Sequence, residues 1–281
     1  MILQPCPPIS TIPLFPELHD HLIYLLEGLD ADQWHAPTVL KGWNVKDIAS
    51  HIADGHFRRI ALYRDHYAAP DIPRIDSYQS LVSYLNELNR DWVTATRRVS
   101  PATLLDWIRQ AGPEVCRLFQ ALPPDADAVF PVAWAGQDVS PNWFHIAREY
   151  TELWHHQQQI RLAVGEPETL MSVRLYQPLI DTFMRALPHT YRLVEAAEGT
   201  LVVFRVTGLP GAWYLHYHAG RWQLAAGSEQ LLPAAEVELD GPAAWRIFTK
   251  GIPALEAASL VTIRGNAALG EPVLSMCSVM A

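Results

Sequence analysis

The chain has 281 residues, 49% hydrophobic and 18% charged, which is a globular composition of about two domains' length. Lys and Arg number 21 against 30 Asp and Glu, and the formal charge of −9 is the wrong sign for a non-specific nucleic-acid or anionic-membrane binder, whose phosphate partners need a basic footprint. No apolar run is long enough to span a membrane, the opening MILQPCPPISTIPLF lacks the basic start and continuous apolar core of a secretion signal, and the scattered Cys6, Cys116 and Cys277 make no disulfide framework. These features together predict a cytoplasmic protein with no membrane or nucleic-acid partner.

Residues 14–29 carry Leu14, Leu18, Leu22, Leu25, Leu26 and Leu29 at helical spacing, with Gly28 near the end. A second helix is expected from Asn44 to about Tyr67, before Pro70. Asn44 is a good N-cap, and the charge of Asp47 suits the helix N-terminus. A third fits 77–98, through Leu81, Leu85, Leu88 and Trp92. The pair Ser100-Pro101 opens a fourth, a cap followed by proline at the first helical position, which closes before Pro123-Pro124. By the same logic Ser140-Pro141 opens a fifth that runs to Gly165. Long helices with mostly short connections predict an antiparallel bundle.

After Gly165-Glu166-Pro167 the character changes. One more helix fits 168–187, closed by Pro188. Period-two and β-rich runs follow at 201–206, 213–218, 222–224, 236–239 and 261–264, with a short helix at 242–250. They predict a small α+β unit on an antiparallel or mixed sheet. The expected division is 1–167 and 168–281.

Among the 12 histidines one arrangement stands out. His145, Glu149, Glu152 and His156 are spaced 4, 3 and 4 apart, which places them on one helical stripe. Buried against an apolar wall, such a stripe would be desolvated and unpaired, so it calls for solvent or a cation. His51 in the second helix follows Ile48 by three and is aimed into the bundle. Two His and one carboxylate from two helices make a three-ligand site with a vacancy, the pattern of a catalytic zinc. A solvent-facing stripe with no metal remains the competing reading. His155 is about 100° round the helix from His156, since each residue turns that far, and is read as flank or surface. His19, His21, His35, His56, His66, His189, His216 and His218 have no comparable geometry and are read as ordinary histidines.

Two stretches are similar to the DinB-like metalloenzyme superfamily, of the mycothiol-dependent maleylpyruvate isomerase type. The first is Trp34–His51, WHAPTVLKGWNVKDIASH, with a Trp, a Pro-Thr, a Gly-Trp and an Asp four residues before a His. The second is Glu152–Arg161, ELWHHQQQIR. Near the end, VTIRGN at 261–266 resembles the small sterol-carrier-like domain that accompanies this bundle. The resemblance implies a DinB-like four-helix bundle followed by that α+β domain, with His51, Glu152 and His156 as metal ligands and His145 and Glu149 at the rim. It departs from the family at Gln159, where members often carry Asp; an amide orients a ligating imidazole without raising its basicity.

The resemblance further implies a divalent metal, zinc first and nickel second, and a low-molecular-weight thiol of the mycothiol kind. In that family the thiolate adds to a small electrophile, so that a C=C bond becomes a single bond; rotation and elimination then give the other isomer and return the thiol. In a transferase the adduct is the product. The three cysteines of the chain need take no part. An acidic substrate calls for a cation, and Arg90, in a helix otherwise apolar around it, is the first choice over Arg58, Arg59, Arg221 and Arg246. Two alternatives stand beside a thiol-dependent isomerase or S-transferase: a metal-dependent hydrolase with Glu149 as general base, and a non-catalytic protein holding a metal and an apolar ligand. Partners are limited to the small-molecule electrophile and thiol, in a monomer or homodimer.

Overall fold

The computed structural model describes residues 3–68, 73–227 and 232–279. They form two compact units. The first comprises Ser10–Asp127 and Pro141–Leu170 and is helical. It contains α1 (Phe15–Gly28), the single turn α2 (Ala31–Trp34), α3 (Val45–Tyr63), α4 (Tyr78–Thr96), α5 (Pro101–Ala121) and α6 (Asn142–Val164). Helices α1, α3, α5 and α6 pack on one another, and α4 lies along α3. The core is built by Leu18, Leu22, Ile48, Leu104, Ile108 and Ile146, all fully buried. At the α1–α5 contact a glycine is required: a Cβ on Gly112 would run into the imidazole of His19.

The start of α3 has the expected chemistry. Asn44 Oδ1 accepts from the Asp47 amide at 2.9 Å and Asp47 Oδ2 accepts from the Asn44 amide at 3.2 Å, a reciprocal cap. Lys46 Nζ donates to the carbonyls of Thr96 and Arg97 at 3.2 and 3.0 Å, so the first turn of α3 closes the C-terminus of α4. The helix stops at Tyr63, earlier than expected, and His66 takes a positive φ of 52° in the reversal that follows. Pro70, read as its stop, lies outside the described residues.

Ser140 does not cap α6. Its hydroxyl accepts from the Val132 amide at 2.8 Å and donates to Gln137 at 2.6 Å. The free amides at the helix start are met instead by the backbone: Asn142 N donates to Ala126 O and Trp143 N to Pro124 O, each at 2.9 Å.

The second unit comprises Ala128–Ser140 and Met171–Val279, together with the described residues up to Ile9. It holds a six-stranded sheet of β1 (Gln4–Pro5), β2 (Leu201–Val206), β3 (Trp213–His218), β4 (Arg221–Ala226), β5 (Ala235–Leu239) and β6 (Val261–Gly265). The strand order is β1-β4-β3-β2-β5-β6, and only the β2–β5 pair is parallel. Central β2 is buried on both faces, as its unbroken apolar run LVVF requires. Helices α7 (Val173–Met184), α8 (Leu187–Thr190), α9 (Gly241–Phe248), α10 (Ala254–Ser259) and α11 (Ala267–Gly270) complete it. The single helix expected over 168–187 is split, and Pro188 stands in the first turn of α8 rather than ending a helix. Among the described residues no helix is long and apolar enough to cross a membrane.

Candidate metal centre

Two helices of the first unit bring the site together. Helix α3 buries Val45, Ile48, Ala49 and Ile52, which turns His51 toward α6. The Trp92 indole donates to Ser50 O at 2.9 Å and fixes the backbone beside it. The ring of Trp43 meets that of His51 edge-on at 5.5 Å.

On α6 the stripe of four polar residues divides into two halves. In the first half, Arg59 Nε donates to Glu149 Oε2 at 2.7 Å, and Arg148 Nη2 lies 2.5 Å from Oε1. Arg148 also donates to His145 Nδ1 at 3.1 Å, and His145 Nε2 meets the Tyr63 hydroxyl at 2.8 Å. The cations this half needs are supplied by the protein. Burial alone would raise the Glu149 carboxyl, but Arg59 and Arg148 outweigh it and hold the pKa at about 2.

The second half has no such cation. Glu152 Oε2 stands 3.6 Å from His156 Nε2, and among the described residues no guanidinium or ammonium is bonded to it. His156 Nδ1 donates to Gln159 Oε1 at 2.9 Å, so its Nε2 lone pair points to the Glu152 side. The centroid of His51 lies 4.6 Å from that of His156. His51 Nδ1 is buried without a hydrogen-bond partner. His155, read from spacing as flank or surface, is buried, and its ring centroid is 4.0 Å from that of His156. One ligand atom each from Glu152, His155 and His156 lies within 4.8 Å of the others; His51 stands outside that tightest group.

Burial, reinforced by repulsion from His155, pushes the His156 pKa down to about 3. Burial takes His155 to about 4, and burial with the neighbouring His156, Arg58 and Arg59 charges takes His51 well below the usual range. Three imidazoles are therefore neutral at pH 7, with lone pairs available beside a carboxylate. This is the donor set of a zinc-like cation, and the residues fit one.

Neither of the two residues expected to do chemistry stands free to do it. Arg90 is two-thirds exposed on α4, between Glu87 at 3.5 Å and Asp91 at 3.7 Å. Glu149 is locked by two guanidiniums, and at a pKa of about 2 it is too weak a base to take a proton near neutrality. Arg58, by contrast, is within electrostatic reach of both His51 and Glu152. Its Nε stands 3.0 Å from Asp54 Oδ2 in an orientation that makes no hydrogen bond. Burial raises the thiol pKa of Cys6, and that of Cys116 to about 11, so neither is a thiolate at neutral pH. Spacing did not reveal Tyr63 or Arg148, because neither repeats at an interval that marks a site.

Comparison with known proteins follows the same residues. The family model described as the mycothiol maleylpyruvate isomerase N-terminal domain matches residues 15–161. No curated protein sequence matches the chain. Two crystal structures of the mycothiol-dependent maleylpyruvate isomerase, one of a histidine-to-alanine variant, each align at a TM-score of 0.51 and 12% identity. Each alignment covers 92% of this chain and 93% of the other, so the likeness of fold extends over both units. A UbiJ-SCP2 ubiquinone synthesis protein aligns over 37% of this chain and 93% of its own at 12% identity, and its TM-score of 0.26 is too low to assign the sheet unit to that fold.

Proposed function

The chain belongs to the mycothiol maleylpyruvate isomerase N-terminal domain family, and from that premise we propose a metal-dependent enzyme that uses a mycothiol-like thiol to isomerise a small, anionic, electrophilic alkene. His51, Glu152 and His156 hold the metal, with zinc first and nickel second. The helical unit is read as a DinB-like four-helix bundle and the sheet unit as a sterol-carrier-like domain. One observation supports the reading above the rest: within a single helical stripe, Glu149 has its cations built in, whereas among the described residues none is bonded to Glu152, which neutral imidazoles flank.

A bound divalent cation supplies positive charge that holds a coordinated thiol as thiolate at neutral pH. The protein's own residues then have separate tasks. Gln159 fixes the tautomer and tilt of His156. Arg58, only partly neutralised by Asp54, offers a cation to a substrate carboxylate. The Arg59–Glu149–Arg148–His145–Tyr63 chain holds α3 and α6 in register beside the site. A hydrolase reading loses its general base, since Glu149 is already engaged.

The test is metal analysis of purified protein with a coupled assay. Wild type is expected to carry stoichiometric metal and to convert maleylpyruvate only when mycothiol is present, while His51→Ala and His156→Ala lose the metal. Stoichiometric metal in both variants would overturn the ligand assignment. Turnover without any thiol would overturn the isomerase reading, and a product that retains the thiol would make the enzyme an S-transferase.

A further inference from the structure

We propose that His155 is a fourth protein ligand, so that the cation is held by His51, Glu152, His155 and His156 together. The inference rests on the metal-site reading above. Three observations carry it. A ligand atom of His155 converges with those of Glu152 and His156 to within 4.8 Å, closer company than His51 keeps. Its Nδ1 donates to Thr151 O at 2.7 Å, so the lone pair belongs to Nε2. This is the arrangement in which ligating histidines are found, one ring nitrogen anchored to an oxygen and the other presented to the metal. His156 shows the same pattern with Gln159 at 2.9 Å.

Residues one apart on a helix do not ordinarily face one another. Here the Thr151 carbonyl, one turn back, swings the His155 ring until its centroid is 4.0 Å from that of His156, at an interplanar angle of 39°. The bland alternative is a packed histidine whose sole work is to hold that carbonyl. The two differ in consequence. A set of three protein ligands leaves a position for an incoming thiol; a tetrahedral set of four leaves none until one arm withdraws.

The experiment counts ligands in the wild-type protein and removes one in a variant. X-ray absorption of zinc-loaded wild type is expected to show three imidazoles. Titration with Co²⁺, followed by its visible spectrum, is expected to give an intense four-coordinate band in wild type. His155→Gln should weaken Co²⁺ binding by more than about 100-fold, beyond the roughly 10–100-fold range of an outer-shell loss. Gln159→Ala serves as the outer-shell comparator, and circular dichroism and melting confirm that each variant folds. Two imidazoles in wild type, with an unchanged Co²⁺ spectrum in His155→Gln, would overturn the inference and leave the three-ligand reading standing. Wild type that takes up neither metal would overturn the metal-site reading itself, and this inference with it.

Discussion

Glu149 and Glu152 are three residues apart on one helix and have opposite surroundings. The first is a counter-ion in a buried network; the second stands beside His156, and among the described residues no guanidinium or ammonium is bonded to it. For Glu149 the folded pKa of about 2 lies below its ordinary 4.5. The ionised network therefore stabilises the fold above pH 4.5, and that contribution is lost as pH falls from 4.5 toward 2. Arg59→Met should cost about 3 kcal/mol in urea unfolding, because it strips a buried carboxylate of the cation that meets it through both Nε and Nη2. Arg59→Met/Glu149→Leu should cost less than the single change; a double variant at least as unstable would show that the pair is not coupled. Burial lowers His56 from 6.5 to about 3 and His145 to about 4. The unfolded chain binds protons at these positions first, so stability should fall as pH drops from 6.5 toward 3. His56→Asn should flatten that slope, and an unchanged slope in pH-dependent unfolding would remove His56 from the account. The juxtaposition of Glu152 and His156 was legible in the sequence because residues four apart on one helix share a face, and that of His51 because it follows the inward Ile48 by three on the facing helix. Arg90 was chosen for the apolar residues of its helix, but it stands on the exposed face with Glu87 and Asp91, three and one residues away, beside its guanidinium. The burial of His155 against His156 was missed because helical spacing gives the direction of Cβ and leaves the side-chain torsion open.

At the level of elements, local chemistry made the helices readable. The reciprocal Asn44–Asp47 cap and the Ser100 cap before Pro101 stand in the structure as the sequence suggested. Ser140 failed as a cap because its hydroxyl is taken by Val132 and Gln137. A contact across eight residues is not visible in a capping rule. Likewise β1 is two residues long, and its pairing with β4 joins segments more than two hundred residues apart, which no local pattern reports. The α1–α5 contact supplies a test of packing. Gly112→Ala should destabilise by about 1–2 kcal/mol, since the new methyl must displace the His19 ring. In a His19→Ala background the same change should instead stabilise by up to about 1 kcal/mol, the difference in helix propensity between the two residues. Equal effects in both backgrounds, measured by chemical unfolding, would rule out the clash.

Over the whole molecule the chain does not divide at one cut. After α5 it leaves the helical unit, contributes Ala128–Ser140 to the sheet unit, and returns to begin α6. The amides that open α6 are bonded to carbonyls of the turn just before that excursion, at Pro124 and Ala126. Composition shifts reveal the change of character near 167 but not an excursion of this kind, because Val132 and Trp134 are buried as ordinary core residues would be. All four proposed ligands lie in the helical unit, on α3 and α6. A cation that binds only the folded site adds about 2.7 kcal/mol at a free concentration of 100 times its Kd. That stabilisation belongs to the helices that carry the ligands. Removing the metal with a chelator should therefore lower hydrogen-exchange protection in α3 and α6 and leave β2 and β5 protected as before. The affinity should also fall with acidity, since protons compete for the same lone pairs and the imidazoles must be neutral to bind. Equal loss of protection in β2 and β5 would mean that the two units open as one cooperative body, and that the metal's contribution is not local to the helices that hold it.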